Sequence, residues 1–317
     1  MDEDVIIYDS VEEFVKDFSR EFNAAAIEVE KLREKLGDLI KRYKCGSAAN
    51  TIDSVVVDTA YPPSPIDLLG LSISIIGCAV LGVRGGRLAE QHTSHVVLAS
   101  RRGLDQDYVA AYARLIERRE ALRHVEDGGY ELVVFDGEVV PYKCLYSRRP
   151  RGAWRTYCND IGALVDRLAR SVKALVGVIK RSYSSILSLY GIDLSDKHAA
   201  SIILRRGEYV VAGKTISSSL GIELVEVYYK PVRGMPLAVK LEIGARRVDE
   251  SLVEGIVEHL ACTSSPTGLP IFIDLVDALA RRELRVVDAV RRYMLSRVGG
   301  GASVSTNPQK YYLEGRL

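Results

Sequence analysis

Side-chain amides are scarce in this chain: 317 residues include three Gln and four Asn. Arg, Val and Leu are plentiful instead, a composition that leans toward a thermophile. An excess of one charge is also missing. Lys+Arg is 43 and Asp+Glu is 42, a formal net charge of +1. That excludes a bulk polycation holding nucleic acid by total charge, so any anion binding must come from local patches. No apolar stretch reaches the ~20 residues that a membrane helix needs. The opening Met-Asp-Glu-Asp has no basic segment leading into an apolar run, so no secretory signal is expected and the protein reads as cytoplasmic. The five cysteines, Cys45, Cys78, Cys144, Cys158 and Cys262, include no CxxC pair, which disfavours a zinc ribbon or a thioredoxin-type motif. Buried reduced thiols are the default expectation, with an intracellular disulfide open to a thermophile. GxxxxGK[ST] and GxSxG are absent, which disfavours a P-loop ATPase and an α/β-hydrolase.

What remains is ordinary globular material, 47% hydrophobic and 27% charged, enough for a sizeable core. Ser10 and Glu13 form a capping-box pattern. Beyond it apolar residues alternate four and three apart through Val11, Val15, Phe18, Phe22, Ala25, Val29, Leu32, Leu36, Leu39 and Tyr43. This predicts a long N-terminal helix over residues 1–46, packed either on a partner or second subunit or on its own domain. Strands are expected at Ser54–Val57, Leu71–Leu81 and His95–Ala99, a helix from Asp105 to His124, and a strand at Glu131–Phe135. A long helix follows from about Asp160 to Leu189, with a possible break at Gly177. Then come β-like runs at Ser201–Leu204, Tyr209–Val211, Leu224–Tyr229 and Leu237–Ile243, and helices at Asp249–Ala261 and Ile273–Ser296. Three strands of hairpin type, a helix and then a strand carrying an acid imply an α/β fold, a mixed sheet flanked by helices. Residues 47–298 form that domain, and 299–317, rich in Gly, Ser, Asn and Pro, form a loose tail.

Two acids stand out by position. Asp58 ends the run Ser54–Val57, and Asp136 ends Leu132–Phe135. A carboxylate at the end of a buried apolar strand is costly without a partner. If the two strands lie side by side, the paired carboxylates suit a hard cation such as Mg²⁺ or Mn²⁺. Each Asp could equally form a turn or cap a helix, and Asp136-Gly137 is a common turn dipeptide. Glu117 and Glu120, on the helix between the strands, are candidates for a third acid, although both also read as surface residues of an Arg/Glu-rich helix. His92 and His95 near Glu90 have no third ligand at a sensible spacing and are read as strand residues. Lys180 and Arg181 follow an apolar run and could hold a phosphodiester or solvate a helix end. Arg148, Arg149, Arg151 and Arg155, interleaved with Tyr146, Trp154 and Tyr157, fit either a DNA-strand patch of cations and stacking rings or a solvated basic loop.

Together these pieces resemble the NurA nuclease family, from about Asp53 to about Arg292. The matching segments are Val55-Val56-Val57-Asp58-Thr59-Ala60-Tyr61, Leu132-Val133-Val134-Phe135-Asp136-Gly137, Leu175–Ser182, Asp196–Leu204 and Gly268-Leu269-Pro270-Ile271-Phe272. The resemblance implies an RNase H-like core with a manganese-dependent nuclease site. It implies a homodimer that degrades DNA 5′ to 3′, cuts single strands and acts with the hexameric HerA helicase-translocase in end resection for recombinational repair. By this resemblance Asp58, Glu117 (or Glu120) and Asp136 are metal ligands and catalytic acids, and Lys180 is the lysine of Gly-x-x-Lys near substrate. The chain departs from the family at three points. Asp58-Thr59-Ala60 replaces Asp-Gly-Ser, Leu269 replaces a Tyr, and Val276-Asp277 replaces Ala-His. Asp277 can stand in for the histidine as a harder ligand and shift preference toward Mg²⁺. The lead expectation is a DNA nuclease with Mn²⁺ or Mg²⁺ on Asp58, Glu117, Asp136 and Asp277, and with Lys180, Arg148, Arg149, Arg151 and Trp154 on the DNA. The alternatives are a silent clamp or regulator of the HerA hexamer, and a resolvase-type RNase H-like endonuclease.

Overall fold

The computed structural model describes residues 31–46, 52–68, 71–145, 152–180, 195–217 and 220–285, with scattered positions elsewhere. Among the described residues one sheet holds β1 (Ile40–Arg42), β2 (Ser54–Ala60), β3 (Ile66–Leu68), β4 (Leu71–Arg84), β5 (Arg87–Ser100), β6 (Leu132–Asp136), β7 (Ala174–Ile179), β8 (Glu208–Ser217), β9 (Ile222–Tyr229) and β10 (Val239–Ala245). The helices are α1 (Gln106–Gly128), α2 (Tyr142–Leu145), α3 (Gly152–Ser171), α4 (Asp196–Ile203), α5 (Glu250–Cys262) and α6 (Ile271–Glu283).

The first five long strands set the topology. β5, β4 and β2 pair antiparallel in sequence, and β2 then pairs parallel with β6, and β6 with β7. In space the order is third, second, first, fourth and fifth, the RNase H-like arrangement, with α1 crossing from β5 to β6. β10, β9, β8 and β1 extend the sheet antiparallel from β7.

β2 shows how sequence becomes layers. Side chains alternate along a strand. Val55 and Val57 bury against α1 and α3, whereas Val56 buries on the face covered by α5 and α6. β6 repeats this, with Val133 and Phe135 toward α1 and α3 and Leu132 and Val134 toward α5 and α6. Strands buried on both faces read as continuous apolar runs, which is why Val55–Val57 and Leu132–Phe135 look alike. The next residue on the α6 side is Asp58 in β2 and Asp136 in β6. Both acids therefore reach the same face at adjacent carboxyl ends.

Four sequence expectations are corrected. The N-terminal helix lies mostly outside the described residues. Residues 31–35 are helical, but Gly37–Leu39 is a 3₁₀ turn and Ile40 pairs with Val210 on β8. A helix bond is weak at glycine, and β-branched Ile40 suits the strand edge. Here the segment packs on its own domain: Leu36 buries beside Ala199 and Ile203, and Arg33 grips buried Glu208 with bonds of 2.7 and 2.8 Å. The long helix expected to Leu189 ends at Ser171, and its apolar continuation is β7, buried between β6 and β10. Ser201–Leu204 is not a strand, since α4 runs to Ile203. The reduced-thiol expectation also fails for four cysteines. Cys45 bonds Cys262 and Cys144 bonds Cys158, leaving Cys78 free and buried.

Candidate active site

Asp58, Asp136 and Asp277 converge. Each offers a carboxylate oxygen, and the three oxygens lie within 4.8 Å of one another. Asp277 arrives from α6, whose buried face of Ile273, Val276 and Ala280 lies on β2 and β4. The approach is close because Gly77 of β4 has no side chain. A Cβ there would stand 2.5 Å from the Ala280 carbonyl oxygen and 2.7 Å from Glu283 Cβ. Asp274, one turn earlier, faces elsewhere and accepts hydrogen bonds from the Ser265 and Thr267 hydroxyls, the latter at 2.7 Å. It ties down the turn before α6. Leu269, at the place where a Tyr was expected, packs against the core.

The electrostatics follow from this crowding. Burial, then the charges of Asp136 and Glu117, push the Asp58 carboxyl up to about 9, although Arg114 opposes them. Burial also raises Asp136, only partly offset by Lys180, whose ammonium lies 2.6 Å from Asp136 and 3.8 Å from Asp277. Arg281, one helical turn past Asp277, donates to it from Nε at 2.9 Å and is 70% exposed. Like charges held together in a dry place favour a cation.

Glu117 does not join the three-acid group, contrary to expectation. It is fully buried. Its Oε1 accepts from the Thr59 hydroxyl at 2.6 Å and from Arg114 at 2.7 Å, and its Oε2 accepts from fully buried Arg118. Burial raises its carboxyl, but the two guanidiniums and the Thr59 bond outweigh that and hold it below its ordinary value. Glu120, the alternative, is a partly buried partner of Arg123 at 3.9 Å. Lys180 lies on the acids themselves. Trp154 is 7% exposed, with Lys143 5.4 Å from its ring centroid, so it is a packing residue rather than an open stacking face. Arg148, Arg149 and Arg151 lie outside the described residues. Sequence reasoning missed Arg114, Arg118 and Arg281. The i,i+3 spacing of Arg114 and Glu117 was the available signal.

The donors present suit a hard divalent cation. Three carboxylate oxygens at mutual ligand distance, one on an Asp strongly averse to ionising alone, form an all-oxygen set suited to Mn²⁺ or Mg²⁺. They fit.

A sheet of RNase H-like order with convergent acids at the ends of its first and fourth strands defines a class: metal-binding α/β proteins of the nuclease type. The family model for the NurA domain matches residues 64–282, and the chain belongs to the NurA family. The fold is similar to the NurA nuclease from Sulfolobus solfataricus, at 13% identity and a TM-score of 0.64 over 91% of this chain and 98% of that one. It is also similar to NurA bound to dAMP and manganese, at 12% identity and a TM-score of 0.50 over 99% of this chain and 98% of that one. No curated protein matches by sequence. Among the described residues no helix is long and apolar enough to cross a membrane.

Proposed function

We propose that the protein is a divalent-metal-dependent deoxyribonuclease that cuts DNA 5′ to 3′ from ends and within single strands. The observation that carries this reading is the convergence of Asp58, Asp136 and Asp277 within 4.8 Å on an RNase H-like sheet. Those three residues would hold the metal. When bound, Mn²⁺ or Mg²⁺ supplies Lewis-acid polarisation of the phosphate and a more acidic water. Hydrolysis adds that water. Its oxygen bonds to phosphorus, the bond from phosphorus to the leaving sugar oxygen breaks, and one water proton ends on that leaving oxygen. The chain's own part is placement. Asp58 and Asp136 are fixed by adjacent parallel strands, Asp277 by α6, and Lys180 puts a cation beside a second carboxylate oxygen. A strand's phosphates would be drawn to Lys180 and to the basic segment of Arg148, Arg149 and Arg151.

Family membership supports a place in DNA end resection for recombinational repair, as a homodimer partnered by a HerA-type hexameric motor in the cytoplasm. The experiment is digestion of end-labelled single- and double-stranded DNA with Mn²⁺, Mg²⁺ or EDTA, beside Asp58→Asn. Metal-dependent loss of label that the variant abolishes is expected. No cleavage with any metal, even with the motor present, overturns the nuclease in favour of a silent DNA clamp, a second reading motivated by Leu269 and Asp277.

A further inference from the structure

Around Glu117 the charges do not balance. One buried carboxylate faces two guanidiniums, Arg114 and Arg118. Arg118 alone meets the structural need. It is fully buried, lies 4.4 Å from the Phe135 ring centroid, and through Nη1 and Nη2 also donates to the carbonyls of Arg114, Glu138 and Val139. Arg114 is the surplus cation. Its side chain is 27% exposed, whereas Arg118 has no exposure.

Arg114 also sits where such a cation matters. Its Nη1 donates to Glu117 Oε1 at 2.7 Å and to the backbone carbonyl of Asp136 at 3.3 Å. Glu117 is in turn bonded to Thr59, the residue after Asp58. The guanidinium is thereby pinned between the neighbours of two of the three converging acids. It lies flat against Gly137, where a Cβ would meet Nη1 and Nη2 at 3.1 Å and Cζ at 3.3 Å. Gly137 has a φ of 134°, so the Asp-Gly pair both turns the chain and clears the space for Arg114. Nε and Nη2 make no hydrogen bond among the described residues, although a guanidinium carries five N–H donors.

We propose that Arg114 is a catalytic residue that grips the non-bridging oxygens of the scissile phosphate through its unspent donors, with Glu117 as the positioning residue that aims it. This rests on the nuclease reading above. A planar fork matches phosphate geometry, and its charge opposes the negative charge that builds on those oxygens in the transition state. Glu117 then does its work through Arg114 rather than on the metal.

The test compares Arg114→Ala, Arg114→Lys, Glu117→Gln and the double variant Arg114→Lys/Glu117→Gln with the parent. It reads kcat and KM on a single-stranded oligonucleotide, and Mn²⁺ affinity by electron paramagnetic resonance. For Arg114→Ala, kcat falls about a hundredfold and added guanidinium chloride restores part of it. Arg114→Lys recovers little, because a point charge replaces a fork. Mn²⁺ affinity stays within about threefold of the parent in all four variants, and the double variant is no slower than Arg114→Lys. If Glu117→Gln loses Mn²⁺ binding, Glu117 is a ligand and its positioning role is overturned. If Arg114→Ala cuts as fast as the parent, or is slow with no guanidinium rescue, Arg114 is not a phosphate clamp. A parent protein that binds Mn²⁺ but cuts no DNA sinks the nuclease reading and this inference with it. A parent that cuts while Arg114→Ala keeps pace sinks the inference alone.

Discussion

Two buried carboxylates are tied to adjacent residues of β2, one being Asp58 itself and the other Glu117, bonded to Thr59, and they live in opposite electrostatic worlds. Asp58 is surrounded by acids, and burial with their repulsion pushes its carboxyl up to about 9. Glu117, bonded to Thr59, is surrounded by guanidiniums and held below its ordinary value. Glu117 comes with its own counter-charges. Asp58 does not: Arg114 lowers its carboxyl, but burial and the neighbouring acids outweigh that. A fold that carries an uncompensated acid beside a compensated one has separated two tasks. One carboxylate receives a cation from outside, and the other builds the wall around it.

The largest expected effect removes the first task. Asp58→Asn or Asp136→Asn lowers metal-dependent cleavage by about a thousandfold or more, since a ligand and part of the charge that holds the metal are lost. Circular dichroism should report an intact fold. If either variant cuts at the parental rate, the contrast with Glu117 has no functional meaning.

Removing the second task breaks the protein as well as the aim of Arg114. Glu117→Leu leaves Arg118 charged, buried and without its carboxylate, at a cost of about 3–5 kcal/mol in chemical denaturation. Glu117→Leu with Arg118→Met replaces the pair by apolar groups and should regain most of that stability. An equally unstable double variant would mean that Arg118 is not the reason Glu117 is needed.

How far the sequence spoke follows the same divide. Asp58 and Asp136 were legible because each ends an apolar strand, and strand alternation dictates which way it faces. Asp277 was legible through the resemblance, as the residue at the histidine's place. The partners of Glu117 were not, because Arg114 and Arg118 look like solvated members of an Arg/Glu-rich helix. Only tertiary packing buries α1 on nearly all sides. The strand β7 was misread as helix because a short apolar run has no periodicity of its own. The two disulfides were unreadable for another reason. Cys45 and Cys262 are 217 residues apart, and only the fold brings them together.

Acidity sharpens the comparison further. In the metal-free protein Asp58 binds its proton more tightly folded than unfolded. Its contribution to stability is full below about pH 4 and is lost as pH rises through about 9. Glu117 has the opposite sign: its contribution is present above its ordinary value and lost as pH falls below it. Asp58→Asn should therefore raise the Tm of the metal-free protein at pH 8 by about 3 °C, the shift of roughly one kcal/mol in a large domain, and should change little at pH 4. Added Mn²⁺ should stabilise the parent more at pH 8 than at pH 5, because the cation displaces a proton. A parent with the same response at both values would mean that Asp58 is already ionised.

The smallest effect separates two acids on one helix. Asp274 and Asp277 are a turn apart on α6, and a sequence reading can exchange them. Asp277 faces the acid cluster with Lys180 and Arg281 beside it, whereas Asp274 is spent on the hydroxyls of Ser265 and Thr267. Asp277→Ala should weaken Mn²⁺ binding about tenfold or more. Asp277→His should retain binding while moving the preference from Mg²⁺ toward Mn²⁺, because imidazole is the softer donor. Asp274→Ala should leave Mn²⁺ affinity unchanged and cost about 1–2 kcal/mol of stability, the loss of two hydroxyl bonds to a carboxylate. The turn it releases leads directly into α6, so a fall in metal affinity for Asp274→Ala would reveal that the helix is aimed by that turn rather than by its seat on Gly77.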